Sequence, residues 1–490
     1  MRVGTVTSRQ TASRIAIAAW LTLFGVGCSR KPPRPPIDEQ FLSAFMERQR
    51  LRVESYDRMT PPIHANLLFI SIDTTRADHL GCYGADSGAS PTIDAFAVES
   101  ILFENAFTVM PTTLPSHAAI MTSLYPAELG VINNHDSVPA AALTLAERLQ
   151  NSGFVTAAFV SALPLRAEAG LNQGFATYMT PDSPEAPGDL AVDRATAWIE
   201  ANHDQRFFAF VHMFDPHTWY SAPESDRAIF DVEAESLPAE REWVKDRAWF
   251  TPERVAETRR AYDAEIHYAD SQVARLLQTL ETNGLADSTI VVLVSDHGET
   301  LDEELAVHGY AFDHGEFLNR RELRIPFILH LPAAFALAPA RQAELVSTLD
   351  LMPTLLELLG APPRPPMNGQ SLVPLLRGQT YVPERIVAQR RDIRRSEGAP
   401  ITGLEFAVID ANWHWIQSDN RAIELFSNDD PDQRTNVGAD HADVVTDFDV
   451  YLRRWRTVFG YPIWQPGSAR VDPVLKKGLE SLGYTGGDDE

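Results

Sequence analysis

The apolar run Leu67-Leu68-Phe69-Ile70-Ser71-Ile72 decides the fold, and it ends in Asp73. A second run of the same kind, Ile290-Val291-Val292-Leu293-Val294-Ser295, ends in Asp296-His297. Continuous apolar runs of this length are typical of strands that are buried on both faces of a parallel sheet. Ligands of such sheets bind beyond the carboxyl ends of the strands. Both runs therefore predict an acidic group at the same edge of one sheet.

Strand-like and helix-like segments alternate up to the segment that begins at residue 361. The further strands are predicted at 154–160, 207–212 and 325–329. Apolar residues at helical spacing predict helices at 255–283 and 345–359. His212 falls inside an apolar strand, which favours a core position for it. The alternation predicts an α/β fold with a doubly wound, mostly parallel sheet.

The composition changes at the proline-rich segment 361–366. Four short strand candidates follow, at 384–390, 406–409, 414–416 and 423–426. Their length and spacing predict a small antiparallel sheet. The predicted domains are therefore a catalytic domain over 65–360, a C-terminal small-sheet subdomain over 361–445 and a helical or frayed tail over 446–490.

The N-terminus has the composition of an export signal. Arginines precede an apolar run over 15–26, which is too short to span a bilayer because about 20 apolar residues are needed. The residues before Cys28 resemble a bacterial lipoprotein processing site; simple secretory cleavage and a membrane anchor are the alternatives. We predict a signal over 1–28, lipid attachment at Cys28 and a proline-rich linker and lead-in over 29–64. The protein would then be exported, periplasmic or at the cell surface, and anchored to the membrane by its lipid.

The chain is strongly acidic, with 67 Asp and Glu against 42 Lys and Arg and a formal net charge of -25. A surface of this charge disfavours nucleic acid as a partner. The lysines of the chain all lie away from the motifs, and they are Lys31, Lys245, Lys476 and Lys477. This distribution disfavours a mechanism that requires an active-site lysine.

The segment Pro111-Thr112-Thr113-Leu114-Pro115-Ser116-His117 places hydroxyl groups at the start of a predicted helix. Free N–H groups and the positive end of the helix dipole suit a transferring anion there. A threonine hydroxyl is a weak nucleophile, so it needs a bound cation that lowers its pKa. Asp73 and the adjacent Asp296 and His297 are suitable ligands for zinc or manganese. These residues therefore predict a metal-assisted hydroxyl nucleophile.

An ordered series of motifs resembles the sulfatase branch of the alkaline phosphatase superfamily from about Asn66 to His441. The matching stretches are 73–84, 91–94, 113–117, 295–299, 324–326, 350–355 and 424–436. The resemblance implies an alkaline-phosphatase-like fold and a divalent metal (zinc, manganese or calcium) held by Asp73, Asp296 and His297. It also places the nucleophile at Thr113, whose oxygen would complete the ligand set.

Several departures from the family pattern change the expected chemistry. Sulfatases carry, at the position of Thr113, a Cys or Ser that is oxidised to formylglycine, and threonine cannot yield that aldehyde. His117 stands in place of an arginine, Thr74 stands in place of a metal-binding aspartate, and the two lysines that hold sulfate have no counterpart. We therefore predict no formylglycine and a preference for phosphate esters or diesters over sulfate esters.

Phosphate-cleaving relatives use Thr or Ser directly and add histidines. The resemblance therefore suggests a second metal site of the Asp-His-His type at Asp215, His217 and His314. Alternatively, His217 or His314 protonates the leaving group. The substrate-binding candidates are Arg76, His117 and His308. For Arg76, a purely structural role in the loop after the first strand is equally consistent with the sequence.

These features predict a metal-dependent ester hydrolase that forms a covalent threonyl ester and acts on a small-molecule, lipid or glycan ester. Two alternatives stay open: a phosphoethanolamine-type headgroup transferase, and a catalytically inactive lipoprotein that binds an anion or a glycan. Such transferases usually carry several transmembrane helices. An inactive protein would have lost its ligands, whereas Asp73, Thr113, Asp296 and His297 are all present. The sequence does not predict an oligomeric state.

Overall fold

A computed structural model describes residues 35–56, 63–181, 183, 186–233, 249–362, 367–393 and 402–463. Residues Asp38–Glu490 form one compact unit, and Met1–Ile37 form another, of which only 35–37 are described. The predicted signal over 1–28, with Cys28, therefore lies outside the described residues. Among the described helices, none has the length and hydrophobicity that a bilayer crossing requires.

The larger sheet is built around β1 (Asn66–Ile72), which pairs in parallel with β5 (Phe207–Met213) on one side and with β6 (Thr289–Val294) on the other. The other strands of this sheet are β2 (Ile101–Phe107), β3 (Val155–Val160), β4 (Thr177–Met179), β7 (Arg324–Ile325), β8 (Phe327–His330) and β9 (Ala340–Ser347). The strand order is β4-β3-β5-β1-β6-β8-β2-β7, and β9 pairs with β2. Strand β8 runs antiparallel to both β6 and β2. The predicted doubly wound, mostly parallel sheet is thus confirmed.

Helices cover both faces of this sheet. The described helices are α1 (Glu39–Tyr56), α2 (Pro91–Val98), α3 (Thr113–Thr122), α4 (Pro126–Leu129), α5 (Leu145–Gln150), α6 (Gly188–Ala201), α7 (Glu224–Ile229), α8 (Pro252–Thr282), α9 (Leu305–His308), α10 (Arg320–Leu323), α11 (Leu351–Leu359), α12 (Val373–Leu376) and α13 (Ala442–Phe459). Side chains alternate along β1, so Leu67 and Phe69 enter the core formed with α3, α5 and α11. Leu68 and Ile70 enter the opposite core, formed with α2, α6 and α8. Burial on both faces explains why β1 is a continuous apolar run.

The smaller sheet consists of β10 (Ile386–Gln389), β11 (Glu405–Ile409), β12 (Trp413–Ser418) and β13 (Glu424–Ser427) in that order, all antiparallel. Helix α13 places Phe448, Leu452 and Trp455 in the core of this sheet. The predicted small antiparallel sheet is therefore confirmed. Helix α13 runs across the predicted boundary between 445 and 446, and the domain limits themselves stay predictions.

The single helix predicted over 345–359 is wrong in its first part. Residues up to Ser347 belong to β9, which pairs in parallel with β2 and buries Leu345 and Val346. The side chain of Ser347 then accepts a hydrogen bond from the N–H of Leu349, while the carboxylate of Asp350 accepts one from the N–H of Ser347. This reciprocal pair is a capping box, which starts the helical segment only after Ser347.

Candidate active site

The strand order brings two acidic side chains to one point. Ser71 of β1 lies opposite Val294 of β6, so Asp73 and Asp296 follow the paired residues by the same two positions. Both carboxylates are fully buried, and so is the neighbouring His297. Gly298 is required directly after them, because any side chain at this position would collide with the carbonyl oxygen of Arg321.

Asp73, Asp296 and His297 offer ligand atoms that all lie within 4.8 Å of one another. The Nε2 atom of His297 is 3.7 Å from Oδ1 of Asp73 and 3.4 Å from Oδ2 of Asp296. The other ring nitrogen, Nδ1, lies 3.0 Å from the carbonyl oxygen of Gly298. Because a carbonyl only accepts, Nδ1 carries the proton and the lone pair of Nε2 faces the carboxylates. Within the described ranges, no other acidic, histidine or cysteine side chains form such a group of three.

A cluster of buried polar atoms at this point has no hydrogen-bond partner among the described residues. These atoms are both carboxylate oxygens of Asp73, Oδ2 of Asp296, Nε2 of His297 and the hydroxyls of Thr74 and Thr113. Buried polar groups are normally paired, because an unpaired group has lost its hydrogen bonds to water. Carboxylate, imidazole and hydroxyl donors together suit a divalent cation such as zinc or manganese. The residues present therefore fit the metal that the sequence predicts.

The electrostatics of the triad agree with this fit. Burial raises the pKa of Asp73 to about 7. Burial, reinforced by the charge of Asp73, likewise raises the pKa of Asp296 to about 7. Burial lowers the pKa of His297 to about 4, so its imidazole is neutral at physiological pH. Two crowded carboxylates beside a neutral imidazole attract a cation.

Thr113 is the first residue of α3, and it is fully buried. Two side chains of the same helix set its position. Ser116 donates a hydrogen bond of 2.7 Å to the carbonyl oxygen of Asp296, and His117 donates one of 2.8 Å to the carbonyl oxygen of Thr113. The pKa of Asp73, which burial raises, is lowered in part by the Thr113 hydroxyl. The helix thus carries its first hydroxyl to the carboxylates.

Thr74 has a backbone φ of 49°, in the left-handed region that β-branched residues rarely adopt. Its carbonyl oxygen accepts a 2.7 Å hydrogen bond from the hydroxyl of Tyr262, whose oxygen in turn accepts one from the N–H of Arg76. The N–H of Thr74 donates to Oδ1 of Asp296 at 3.3 Å. These contacts hold the strained residue next to the triad, which is the situation in which strain persists at functional sites.

His117, a predicted substrate contact, is instead an internal residue. It is fully buried, its Nδ1 donates to the carbonyl of Thr113, and its Nε2 accepts a 2.9 Å hydrogen bond from the hydroxyl of Ser71. Burial lowers its pKa to about 4. With both ring nitrogens engaged, His117 positions the helix that carries Thr113, and no ring nitrogen is left for a substrate.

His212 is a site residue that the sequence pattern assigned to the core. It lies opposite Ser71 in the pairing of β5 with β1, and its Nε2 is 3.3 Å from Oδ2 of Asp73. Neither ring nitrogen has a hydrogen-bond partner in the described residues. Its position near the carboxyl end of a strand was the available signal, but only the adjacency of β5 and β1 reveals its neighbour.

Of the predicted second metal set, only two members lie together. The rings of His217 and His314 have centroids 4.8 Å apart, and the ring of His314 is 4.5 Å from that of His297. Nδ1 of His314 lies 3.1 Å from the carboxylate of Glu299. Asp215 is elsewhere: its Oδ2 accepts a 2.8 Å hydrogen bond from the N–H of Gly188, and burial raises its pKa to about 6. The structure does not assemble the Asp-His-His set.

The other two substrate-binding candidates are also engaged elsewhere. Arg76 is buried, and its guanidinium forms ion pairs of 2.7 Å with both Asp78 and Glu303. It therefore holds the loop after β1, which is the second role that the sequence allowed. His308 ends α9, where its ring packs against Phe317 and its Nε2 is 3.7 Å from Glu304. Neither side chain contacts the triad.

We expect Arg76→Ala to lower the free energy of unfolding by roughly 3 kcal/mol at neutral pH, because Glu303 loses its most buried partner and keeps only the longer contacts with Arg259 and Arg321. Burial would raise the pKa of Glu303, but the charge of Arg76 brings it down to about 2. A carboxylate whose pKa is lower in the folded than in the unfolded state stabilises the fold at pH values above its unfolded pKa of about 4.3. This stabilisation is lost as the pH falls towards 2. The difference between wild type and variant in denaturant unfolding should therefore shrink between about pH 5 and pH 2.

The matched control is Arg341→Ala, which removes an exposed ion pair with Glu104. An exposed pair contributes little, so this variant should change the unfolding free energy by less than about 1 kcal/mol. A destabilisation by Arg76→Ala that stays constant across the acid range would contradict the ion-pair role.

A model of the sulfatase family matches residues 65–361. The chain belongs to the sulfatase family. Over 361 residues, 66% of this chain and 68% of its relative, it is 25% identical to an ulvan-active sulfatase of Formosa agariphila. Over 430 residues, 76% of this chain and 78% of the other, it is 24% identical to arylsulfatase K of Xenopus laevis.

Among solved structures, a phosphonate monoester hydrolase of Agrobacterium radiobacter superposes with a TM-score of 0.66 at 21% identity. The match covers 80% of this chain and 95% of that one. At this identity the similarity shows a shared fold. As a member of the sulfatase family, the protein is a sulfatase-like ester hydrolase.

Proposed function

We propose that this sulfatase-family protein is a metal-dependent hydrolase of phosphate monoesters or diesters, with Thr113 as its nucleophile. One observation carries the proposal: the unpaired hydroxyl of Thr113 begins a helix beside the cluster of unpaired ligand atoms of Asp73, Asp296 and His297. Among the described residues, this hydroxyl forms no hydrogen bond that would direct it away from the cluster, and within the cluster it lowers in part the pKa of Asp73, which burial raises. The retained ligand cluster speaks against the inactive alternative.

Asp73, Asp296 and His297 would hold the metal, with the oxygen of Thr113 as a further ligand. A bound divalent cation polarises the ester oxygen and lowers the pKa of a coordinated hydroxyl. The protein contributes the buried, shaped surroundings in which such electrostatic effects are strong.

The reaction begins with attack of Oγ1 of Thr113 on phosphorus in line with the leaving oxygen. The O–P bond to Thr113 forms, the ester P–O bond breaks, and the hydroxyl proton is released to solvent water. His217 or His314 protonates the leaving oxygen. Water then attacks the threonyl phosphate, which releases the phosphate product and restores the hydroxyl.

The residue types favour phosphorus over sulfur. The sulfuryl chemistry of the family uses an aldehyde hydrate, whereas the Cβ of threonine carries a methyl group and cannot become an aldehyde. A plain alkoxide is the nucleophile that phosphoryl-transfer enzymes with Ser or Thr use. The relatives are named as sulfatases, so the experiment must distinguish hydrolysis of phosphate esters from hydrolysis of sulfate esters at the same site.

The test is a parallel assay of the purified enzyme on an aryl sulfate, a phosphate monoester and a phosphodiester, with metal content measured on the same preparation. We expect turnover of one or both phosphorus esters to exceed that of the aryl sulfate at least about tenfold, which corresponds to ~1.4 kcal/mol in the barrier. Activity confined to the aryl sulfate would contradict the preference for phosphate esters. Full activity of metal-free enzyme would contradict the metal dependence.

A further inference from the structure

Arg166 is a buried cation that forms no ion pair within the described residues, although the exposed Glu168 acts on it at longer range. Only 4% of the residue is exposed, and Nε and Nη2 of its guanidinium have no hydrogen-bond partner among the residues that the structure describes. Its Nη1 donates one long bond of 3.4 Å to the carbonyl oxygen of Asn134. In the described part of the chain, no carboxylate forms an ion pair with it. A buried charge is expensive unless it is paired, so the unpaired N–H groups of this guanidinium suit a bound anion.

Its position connects it with the start of the nucleophile helix. Arg166 directly follows the turn Leu163–Leu165 at the carboxyl end of β3, and this turn packs against α3. Asn134, of which 2% is exposed, accepts a 2.8 Å hydrogen bond from the N–H of Leu114 through Oδ1. Its own Nδ2 group is unpaired. Asn134 thus links Arg166 to the residue that follows Thr113, because it contacts both.

Other shielded arginines show how a guanidinium is compensated elsewhere in the molecule. Arg390 also leaves Nε and Nη2 without hydrogen bonds, but its Nε lies 3.8 Å from the carboxylate of Glu405. Arg76 pairs with two carboxylates. Arg206 also lacks a carboxylate, but its Nε and Nη2 donate to the carbonyl oxygens of Ala65 and Leu359 at 3.0 Å and 2.9 Å. Backbone carbonyl groups therefore accept hydrogen bonds from Nε and Nη2 of Arg206, whereas the same two groups of Arg166 have no acceptor among the described residues.

We propose that Arg166, with Asn134, binds the non-bridging oxygens of the tetrahedral oxyanion that reacts at Thr113. The location of the anion rests on the proposed function; the need for an anion rests on the unpaired guanidinium itself. The planar guanidinium presents parallel N–H groups that match two oxygens of phosphate or sulfate. Since the lysines of the chain lie away from the motifs, Arg166 provides the positive side chain that the oxyanion requires.

The test is calorimetric titration of the metal-loaded enzyme with inorganic phosphate and, separately, with inorganic sulfate. We expect Arg166→Met to raise the Kd for the preferred oxyanion about 10- to 100-fold, the usual range for losing a charge-assisted bidentate contact. The Kd of Arg166→Lys should lie between those of wild type and the Met variant, because lysine keeps the positive charge but lacks the paired N–H groups of the guanidinium. The value of kcat/KM should fall by about 10²-fold or more in Arg166→Met.

Thermal unfolding separates this role from a structural one. Arg166→Met removes an unpaired buried charge, so its Tm without phosphate should equal or exceed that of wild type. The matched control, Arg206→Met, should lower Tm and leave the Kd for phosphate unchanged. A wild-type Kd in Arg166→Met, an equal loss of affinity in Arg206→Met, or no binding of either oxyanion to the wild-type enzyme would each overturn the proposal.

The titration involves no turnover, so its result is independent of the nucleophile. If Thr113→Ala hydrolysed esters at the full rate, the proposed function would fail while weakened phosphate binding by Arg166→Met still supported the anion site. If instead Thr113→Ala were inactive and Arg166→Met bound phosphate normally, only the anion site would fail. Tighter binding of phosphate than of sulfate would identify phosphate as the preferred oxyanion.

Discussion

Thr113→Ala is expected to lower kcat/KM for phosphate esters by at least about 10³-fold, because the substitution removes the nucleophilic oxygen. Fold stability should not fall with it. The hydroxyl of Thr113 has no hydrogen-bond partner among the described residues, so the substitution removes an unsatisfied buried atom. Thr113→Ser keeps the hydroxyl and should retain most of the activity. Steady-state kinetics and Tm, measured on the same preparations, check both statements.

Thr122 provides the matched control on the same helix. Its buried hydroxyl donates a 2.6 Å hydrogen bond to the carbonyl oxygen of Ala118, so Thr122→Ala should cost about 1 kcal/mol of stability and leave kcat/KM near wild type. Mass spectrometry after rapid acid quench should find one phosphoryl group on the peptide that contains Thr113. Undiminished turnover by Thr113→Ala, or a phosphoryl group on a different residue, would remove Thr113 from the nucleophile role.

Asp73→Asn is expected to abolish metal-dependent stabilisation. A ligand that binds only the folded state at 100 times its Kd stabilises it by about 2.7 kcal/mol, and the wild type should show a gain of this order with zinc or manganese. The variant lacks a central carboxylate of the triad, so added metal should leave its Tm unchanged and its metal content near zero. Thermal unfolding with and without chelator, together with elemental analysis, makes the comparison.

The metal-free proteins should show the opposite order of stability. Burial raises the pKa of Asp73 to about 7 in the folded state, against about 3.9 in the unfolded chain. Because the pKa of Asp73 is higher in the folded state, the free energy of unfolding falls as the pH rises from about 4 to about 7. It stays reduced at higher pH. Without metal at pH 8, Asp73→Asn should therefore be at least as stable as wild type. A variant that is less stable than wild type under these conditions would contradict the account of an uncompensated carboxylate.

The control for this experiment is Asp270→Asn. The carboxylate of Asp270 is also buried, but it accepts hydrogen bonds of 3.0 Å and 2.7 Å from the N–H groups of Thr92 and Ile93 at the start of α2. Its loss should lower Tm to the same extent with and without metal, because it lies outside the triad. This contrast distinguishes loss of a ligand from loss of a buried acid in general.

Local patterns in the sequence determined the fold class and the proximity of Asp73 to Asp296. Apolar runs that end in Asp73 and Asp296 indicate strands buried on both faces, and parallel strands share an edge, so the pairing of β1 with β6 places both carboxylates together. The hydroxyl at the start of a helix could be predicted in the same way, because Thr113 directly precedes Leu114 and Pro115 in the first turn of α3. Each of these features depends only on neighbours in the chain and on general rules of sheet geometry.

Tertiary structure alone decided which polar side chains are free. Arg76 and Arg166 are the same residue type in similar loops after strands. Arg76 is ion-paired by Glu303, 227 positions away, whereas Arg166 forms no ion pair with a carboxylate in the described part of the chain. His212 faces Asp73 because β5 lies beside β1, a pairing that brings together residues far apart in the chain. A polar group's role depends on the distant groups that the fold brings to it. The sequence therefore predicted the strands and helices and the acidic residues at the strand ends. The contacts of each charged or histidine side chain could be known only from the tertiary structure.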